Sequence, residues 1–510
     1  MAMDYNYFIN TRSIIINLLC CILLLSCSNK SKIVPAPASD EEGIYLNASD
    51  LRFLPESVRK AEDYSDRFSL PNNQFLQFTL NNGLKVNYLL RKNLPTISIA
   101  VLVDAGKYQL SAKDELLSPL VIKLLKQGTK KYPKKNFQQR ATLLGNPINY
   151  WQTAQYSIIS AEILAQDFEL ALDLLSQQLI SIEPDSDALD VIIEQQLLEN
   201  KLTQSSGSYL SRLLFYQNNY PSSHFYYHLQ PDSEAIKKVI KKDLMDFYQR
   251  KYRPERSQIV ISGDIDPTLL KKQMESYFSD WKNNHTEIKS TALFDNQLPE
   301  MKQSRFDFIE REGAQQVDLL YGVITAARRS PDWPGLKIIA ALIGGGSNSR
   351  LFADLREKQG LAYYISARQL AGRYSSPFLI QTSVAHNKLI PAIKGITNHL
   401  NYLCLNKIEK HELEQIKQQL SGEIVFKLQT NQQRISNKIL QLETNLDDNY
   451  LFNLKRQINN TTAEQLFVIA NKYLCGKRNI IAVGQKNQLE NNFRNNLKGY
   501  FYEEHHLPLH

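Results

Sequence analysis

The sequence predicts an α+β fold made of two homologous domains. The chain has 510 residues, which is more than one ordinary hydrophobic core supports. An internal repeat relates its two halves at a distance of roughly 200 residues. In each half an amphipathic helix ends in Lys-Tyr, at Tyr252 and Tyr473, and a β-rich segment ends in glycine eleven residues later, at Gly263 and Gly484. With 43% hydrophobic and 22% charged residues, the composition is typical of a globular protein.

The first half, residues 73–281, contains the patterns expected for one such domain. β-branched and alternating sequences predict strands at 84–90 and 96–103. A stripe of leucines predicts a helix over 114–127, and Gly128 marks its end. The remaining segments of this half are a strand pattern and two long helical runs, at 156–164, 168–181 and 187–203.

The second half, residues 303–492, repeats this order after a polar linker at 282–302. Gly360 marks a helix end, because glycine accepts the backbone conformation that reverses the chain there. Both domains are expected to combine a mainly antiparallel sheet with long helices. The segments of this half are a strand at 317–325, helices at 333–343 and 348–358, strands at 361–367 and 376–384, and helices at 388–404 and 409–425.

Residues 1–26 have the pattern of a cleaved signal peptide. Arg12 precedes a short apolar run at 14–25, far shorter than the ~20 residues that a membrane-spanning helix needs. The sequence Leu-Leu-Ser-Cys then ends at Cys27 and resembles the lipobox of bacterial lipoproteins. We therefore predict lipidation of Cys27. The alternative is cleavage elsewhere, with Cys27 incidental.

The residues after Cys27 predict where the mature protein resides. Ser28 resembles the outer-membrane sorting pattern of lipoproteins, and 27–72 is a polar, proline-containing tether. These features predict a lipid-anchored protein on the periplasmic face of the cell envelope, at the outer membrane. Only Cys404 and Cys475 then remain in the folded part, where they either form a disulfide or stay as buried thiols.

The net charge of +8 is spread along the chain and does not indicate nucleic-acid binding, since no aromatic-basic motif accompanies it. The densest basic cluster, Lys130, Lys131, Lys134 and Lys135, is expected to lie in a solvated loop.

A specific motif occupies residues 351–363, which read LFADLREKQGLAY. Together with Gly128-Thr129 and the repeated Lys-Tyr helix, it resembles the pitrilysin/insulinase family of zinc metallopeptidases, the inverzincins, over about residues 75–490. The resemblance implies two domains of the metalloenzyme LuxS/peptidase-like type, forming a half-shell. It also implies that Arg356 and Tyr363, seven residues apart, bind the substrate backbone and help to polarise the scissile carbonyl. The alternative is that Arg356 interacts with its own helix C-terminus and Tyr363 belongs to the core.

The zinc motif of that family, His-x-x-Glu-His, is missing. The motif needs two imidazoles one helical turn apart and a glutamate between them as general base. The matching positions are Pro119, Ile122 and Lys123, none of which can serve. The family's third ligand falls near Glu199 or Glu194, for which the alternative is a solvated helix carboxylate.

Other candidate sites are weaker. No histidine occurs before His224, which with His228 has i, i+4 spacing but no intervening carboxylate. His505, His506 and His510 are expected to form a tail with at most adventitious metal binding. Gly344, Gly345 and Gly346 form a glycine-rich loop. It lacks the residues of a phosphate-binding loop, so the family resemblance favours a place near the substrate channel over helix punctuation.

The resemblance therefore predicts a non-catalytic, substrate-binding subunit of a heterodimeric zinc peptidase. Its expected partner is a homologous chain that carries His-x-x-Glu-His and the zinc, while this chain binds no cofactor. Its expected substrates are unfolded peptides. Two alternatives stay open: a peptide-binding or assembly protein without a proteolytic role, and a self-sufficient, atypical zinc peptidase.

Overall fold

Two six-stranded β-sheets organise the part of the chain that the structure describes. It is a computed structural model, and it describes residues 70, 73–92, 94–227, 229–283, 301, 303–370, 372–489 and 493–506. The predicted signal peptide, Cys27, nearly all of the tether and most of the linker lie outside these residues. All of the described residues belong to one compact unit.

The first sheet lies in the first half of the chain. Its strands are β1 (Leu76–Thr79), β2 (Lys85–Leu90), β3 (Thr96–Val103), β4 (Asn149–Gln152), β5 (Ser157–Leu164) and β6 (Ser257–Gly263). Their order across the sheet is β1-β2-β6-β3-β5-β4. β2 and β6 are parallel, and the other neighbours are antiparallel.

The second sheet repeats the first. Its strands are β7 (Arg305–Glu310), β8 (Val317–Thr325), β9 (Ala362–Gln369), β10 (Ser376–Val384), β11 (Asn479–Gly484) and β12 (Phe501–His505). They are ordered β12-β7-β11-β8-β10-β9, so five strands match the first sheet one for one. The outer strand differs, because β12 comes from the end of the chain and pairs parallel with β7, whereas β1 is antiparallel to β2. The predicted duplication and the α+β class are confirmed.

Each sheet is mainly antiparallel, as predicted, with a parallel pairing where the glycine-terminated strand β6 or β11 lies beside the first long strand of its own half. The second sheet also extends to His505, beyond residue 492 where the predicted domain ended, since β12 satisfies the outer edge of β7.

Helices cover both sheets. In the first half they are α1 (Ala112–Leu124), α2 (Lys134–Thr142), α3 (Phe168–Ile180), α4 (Ala188–Gln204), α5 (Gly207–Asn219), α6 (Ser233–Ile236), α7 (Lys241–Lys251) and α8 (Pro267–Phe278). In the second half they are α9 (Trp333–Gly344), a π-helix (Phe352–Lys358), α10 (Leu389–Leu405), α11 (Lys410–Phe426), α12 (Asn431–Thr444), α13 (Tyr450–Asn460) and α14 (Ala463–Tyr473). Lys134 and Lys135, expected in a loop, instead begin α2.

The two halves exchange one helix each. From the first half, α5 packs on β8 and β11 of the second sheet, with Phe215 fully buried. Gly322 on β8 makes this approach possible, because a Cβ there would stand 2.5 Å from the Phe215 ring. Each sheet is thus covered on one face by helices of its own half and on the other by a helix of the other half.

The reciprocal helix is α12, which packs on β3 and β6 of the first sheet. Asn431 fixes its start: Nδ2 donates to the Thr96 carbonyl at 2.8 Å, and Oδ1 accepts from Ser262 Oγ at 3.0 Å. Ile435 and Ile439 bury the rest of its apolar face against the sheet.

Cys404 of α10 and Cys475, which follows α14, form a disulfide that joins these two helices. Of the two alternatives for these cysteines, the structure contains the paired form. Among the described residues, no helix combines the length and the apolar content needed to cross a membrane.

Candidate functional site

The first part of the candidate site is α1, the helix that carries the positions of the missing zinc motif. Ser111 caps its start by accepting from the Asp114 backbone N–H, and Asp114 favours this end through its negative charge. Arg250 Nη2 holds the Asp114 carboxylate at 2.8 Å. The helix ends at Leu124, three residues before the predicted end at 127, and Gly128, with φ +111°, lies in the segment that follows.

The three motif positions lie in this helix and offer no metal ligand. Pro119 is inside the helix and half-buried, and Ile122 is buried. The Lys123 side chain is only 13% exposed, and its Nζ lies 2.5 Å from Glu199 Oε2 on α4. Of the two glutamates that the sequence left open, Glu199 is therefore the one that reaches the motif, whereas Glu194 is exposed elsewhere on α4.

This arrangement does not fit zinc. A structural or catalytic zinc site requires several nitrogen, sulfur or carboxylate donors, and among the described residues Glu199 is the one carboxylate that pairs with Lys123. Its carboxylate is already engaged by an ammonium group, which would repel a metal ion. The cation that meets Glu199 in this protein is a lysine side chain.

His224 is held as an interior residue. Its Nδ1 accepts from the Tyr226 backbone N–H at 3.2 Å, and its ring stacks on Tyr220 with centroids 4.3 Å apart. Burial lowers the pKa of His224 to about 4, so the ring is neutral at neutral pH. His228, its predicted i+4 companion, lies outside the described residues.

The prediction that His505 lies in a tail is wrong, because His505 belongs to β12. Its Nε2 lies 2.8 Å from Asp307 Oδ1, and with Glu503 the two residues form the one group of potential metal ligands found among the described residues. Arg305 Nη2 lies 2.8 Å from Asp307 Oδ1 and 2.6 Å from Glu503 Oε2. A guanidinium already neutralises these carboxylates, so the group is an ion-pair network. His506 follows β12, and His510 lies outside the described residues.

The second part of the candidate site is the motif around Arg356, where the predicted helix takes the π form over Phe352–Lys358. The wide turn ends with Gln359 N donating to the Asp354 carbonyl and Leu361 N to the Leu355 carbonyl. Gly360 has φ +58° and reverses the chain, as predicted. π-helical turns occur often at functional sites, because the extra residue changes the direction of the side chains that follow.

Arg356 and Tyr363 lie together on the surface. The Arg356 guanidinium is 4.4 Å from the centroid of the Phe352 ring and 5.2 Å from that of Tyr363. Tyr363 is 81% exposed, which rules out the alternative that it belongs to the core. Arg356 also lies 3.4 Å from Glu357 on its own turn. The guanidinium and the phenol can therefore converge on one acceptor oxygen from the same side.

Other polar residues of the motif fix its position. Arg350 makes a bidentate contact with Glu412 on α11. Asp354 accepts from Gln359 Nε2 and lies 2.8 Å from His399 Nε2 on α10. Leu351 and Leu355 are fully buried in the core. These anchors hold the turn in place beside Tyr363. The partners of Arg350 and Asp354 lie on helices far along the chain, so no local sequence pattern predicts these contacts.

The glycine-rich loop lies between α9 and this motif. Gly344 is the last residue of α9, and a Cβ there would stand 2.3 Å from the Ala367 backbone N on β9. Gly346 has φ +153°, and its carbonyl accepts from Ser349 N–H and Oγ. Glycine is thus required for close packing of α9 on β9, which keeps the loop beside the strand that carries Tyr363.

β9 is the outer strand of the second sheet. It pairs with β10 on one side, and its other edge pairs with no described strand. Tyr363 and Tyr364 are both exposed near its start. An unpaired edge offers backbone N–H and C=O groups to an extended peptide, with side-chain specificity from alternate positions.

Part of the chain is similar to a known protein family. Residues 238–420 match the family model described as the Peptidase M16 inactive domain, a range that includes the glycine-rich loop, Arg356 and Tyr363 but not α1. The chain is 22% identical over 360 residues to the Bacillus subtilis protein named "Uncharacterized zinc protease YmxG". This alignment covers 71% of this chain and 86% of that protein. It is also 21% identical over 268 residues to "Probable inactive metalloprotease YmfF" of the same organism, covering 51% of this chain and 61% of that protein.

Solved structures share the fold. The peptidase M16 inactive domain from Pseudomonas fluorescens has a TM-score of 0.72 at 21% identity, covering 81% of this chain and 98% of that one. The resemblance to the peptidase family predicted from the sequence is confirmed. The region matched by the family model, residues 238–420, is similar to the inactive domain of that family.

Proposed function

We propose that this chain, a relative of the M16 zinc peptidases without their zinc motif, is the substrate-binding subunit of a two-chain zinc peptidase. One contrast carries the proposal. Lys123 occupies a zinc-ligand position and is paired with Glu199. In contrast, Tyr363 is exposed and Arg356 is half-buried beside it, next to an edge of β9 that pairs with no described strand. The substrate-facing motif is thus complete in a chain whose own zinc positions cannot bind the metal.

In this role, a homologous partner with His-x-x-Glu-His supplies the zinc and the activated water. This chain binds the unfolded peptide. The peptide adds to the edge of β9, and its scissile carbonyl oxygen accepts from the Arg356 guanidinium and the Tyr363 phenol. These donors stabilise the negative charge that develops on that oxygen when water attacks.

The purified chain alone is expected to bind no stoichiometric zinc and to cleave no peptide. The physical reason is the absence of donors at positions 119, 122 and 123. The measurement is metal content after dialysis, with proteolysis of an unfolded peptide as the second readout. A matched gain-of-function variant, Pro119→His, Ile122→Glu and Lys123→His, frees Glu199 and should bind zinc.

A second experiment tests whether the chain pairs with a zinc-binding partner. The full chain, tagged and isolated from membranes, should co-purify with a His-x-x-Glu-His chain and with chelator-sensitive peptidase activity. One tightly held zinc in the unaltered chain, with peptidase activity of its own, would overturn the proposal in favour of a self-sufficient peptidase. Isolation without any such partner would overturn it in favour of a binding or assembly protein.

We also propose that the protein is anchored by lipid at Cys27 on the periplasmic face of the outer membrane. The Leu-Leu-Ser-Cys sequence after a short apolar run supports this location. A single acyl chain binds membranes only marginally, so stable anchoring needs several chains.

Cys27→Ala is expected to release the protein from membranes or to leave an unprocessed precursor. Membrane fractionation and the mass of the mature N-terminus provide the measurement, and Cys21→Ala, within the predicted signal peptide, is the matched control. Unchanged processing and unchanged membrane partitioning of the Cys27 variant would show that the protein is not anchored through Cys27.

A further inference from the structure

A cationic pocket of about 320 Å³ lies where α9, α11 and the end of β9 meet. Its lining includes four cationic side chains: Arg328, Lys337, Arg368 and Lys427. Glu423 is the one carboxylate among the lining residues, and the remaining surface is largely apolar, from Trp333, Ala340, Ala341, Leu370, Leu420 and Leu454. The pocket therefore has a clear excess of positive charge over a partly apolar floor.

The cations of this pocket are incompletely neutralised. Lys337 Nζ is 3.6 Å from Glu423 Oε2, a loose ion pair. Within the described part of the chain, Arg368 and Lys427 form no ion pair. Arg368 and Lys427 are exposed, and Arg328 and Lys337 are half-buried, so among the lining residues Glu423 alone offsets four cationic groups.

Arg328 is held in position by two aromatic rings. Burial raises the pKa of Glu443, and the charge of Arg328 acts to lower it. Its Nε donates to the Tyr450 hydroxyl at 3.0 Å, and its guanidinium lies 5.3 Å from the Trp333 ring centroid and 4.9 Å from that of Tyr450. Its two terminal nitrogens donate to no described residue. A guanidinium held between two rings with free terminal N–H groups has the geometry to bind a carboxylate through two bonds.

Electrostatics of the two lysines agree with this picture. Burial lowers the pKa of Lys337 and of Lys427. The Glu423 carboxylate partly opposes this lowering at both lysines, and the positive charge of Arg328 adds to it. Lys337 adds to the lowering at Lys427. The mutual repulsion of these groups would be relieved by an anion between them.

The pocket is close to the candidate substrate site, on the same strand. Arg368 and Tyr363 are five residues apart on β9, which corresponds to about 17 Å along a strand. A peptide bound along the free edge of β9 would pass both Tyr363 and the pocket. The pocket would then meet the peptide a few residues away from the carbonyl held by Arg356 and Tyr363.

We propose that the cationic pocket binds a carboxylate of the peptide substrate, either an acidic side chain or the C-terminal carboxylate. The inference rests on the proposed substrate-binding function and adds a specificity to it. The carboxylate would accept from Arg328 and from the neighbouring lysines while the adjoining apolar part of the peptide packs on the pocket floor. Peptides with an acid at the matching distance from the bound carbonyl would be preferred.

The test is the affinity of the full chain for three fluorescent, unstructured peptides of the same length. One is neutral with an amidated C-terminus, one carries a single glutamate with an amidated C-terminus, and one is neutral with a free C-terminus. At least one of the two carboxylate peptides should bind ~10-fold or more tightly than the neutral amide, since hydrogen bonds between charged partners are the strong ones. The stronger of the two identifies the source of the carboxylate.

Two double variants complete the test. Arg328→Gln with Lys427→Gln should remove the ~10-fold preference and leave the affinity for the neutral amide unchanged. Lys135→Gln with Lys410→Gln, which removes the same charge from the exposed starts of α2 and α11, should leave the preference intact. Melting temperature verifies that each variant is folded.

The outcomes separate this inference from the function on which it rests. Equal affinity for all three peptides, or a preference that survives the pocket variant, overturns the carboxylate site alone. A preference lost equally in the control variant indicates only long-range charge and also overturns it. Failure to bind any of the three peptides contradicts both the carboxylate site and the proposed substrate-binding function.

Discussion

Arg356→Ala and Tyr363→Phe are each expected to cut the turnover of the two-chain peptidase by at least ~10-fold, since loss of one oxyanion donor typically costs ~10²–10³ in turnover. The donors act on charge that forms only in the transition state, so the loss should appear in kcat more than in KM. Tyr363→Phe removes only a hydroxyl from a side chain that is 81% exposed, so a change in packing cannot explain lost activity. The measurement is turnover of an unfolded peptide by the reconstituted pair.

A matched variant is available at the next position. Tyr364 is 40% exposed on the same strand, and its hydroxyl lies 3.3 Å from Ser383 Oγ on β10. Because that hydroxyl is directed to a neighbouring strand, Tyr364→Phe should retain turnover. Melting temperature and partner binding should stay the same in all three variants. Full turnover in both Arg356→Ala and Tyr363→Phe, or loss that only follows unfolding, would show that the trans-acting role is wrong.

The sequence predicted the parts of the fold that depend on local patterns. Strands β3 and β8 match the predicted bounds residue for residue, because long apolar, β-branched segments leave little choice of structure. Gly360 was identified as a helix end and has positive φ, whereas the helix before Gly128 ends earlier than predicted, at Leu124. The duplication predicted two equivalent sheets, since sequences that share element order and spacing bury the same faces.

The parts that failed depend on contacts between distant segments. Helices α5 and α12 were absent from the prediction, and nothing in their periodicity indicates that each covers the sheet of the other half. The parallel pairing of β2 with β6 likewise joins residues about 170 positions apart. The helix predicted at 348–358 takes the π form over Phe352–Lys358, a distinction that the apolar spacing of so short a segment does not reveal.

The candidate site shows the same division. The loss of zinc ligands at Pro119, Ile122 and Lys123 follows from the chemistry of the side chains and needs no structure. The contact between Lys123 and Glu199 does need one, since 76 residues separate the two. The cationic pocket combines side chains from several separate elements, so no local sequence pattern predicts it.

Phe215→Ala is expected to destabilise the protein by roughly 3–5 kcal/mol, the range for removing a buried aromatic ring from a packed core. The ring is fully buried between α5 and the second sheet, where it lies against Gly322 and near Leu379. Backbone movement cannot easily fill the resulting cavity, because β8 is paired on both sides. The measurement is urea unfolding, read together with amide hydrogen exchange.

The exchange of helices makes this prediction specific in location. Phe215 belongs to the first half of the chain, yet its loss should lower amide protection in β8 and β11 of the second sheet more than in β3 of the first. Phe452→Ala is the matched control, because the same truncation at a side chain that is 58% exposed should cost far less. If protection falls first in β3, or if both variants lose equal stability, then α5 does not pack across the halves.

Protection lost in β8 and β11 alone would mean that the second sheet, which presents Arg356 and Tyr363, is stable only with the helix that the first half provides. The first half, without zinc ligands of its own, would then be retained because it stabilises the substrate-binding half.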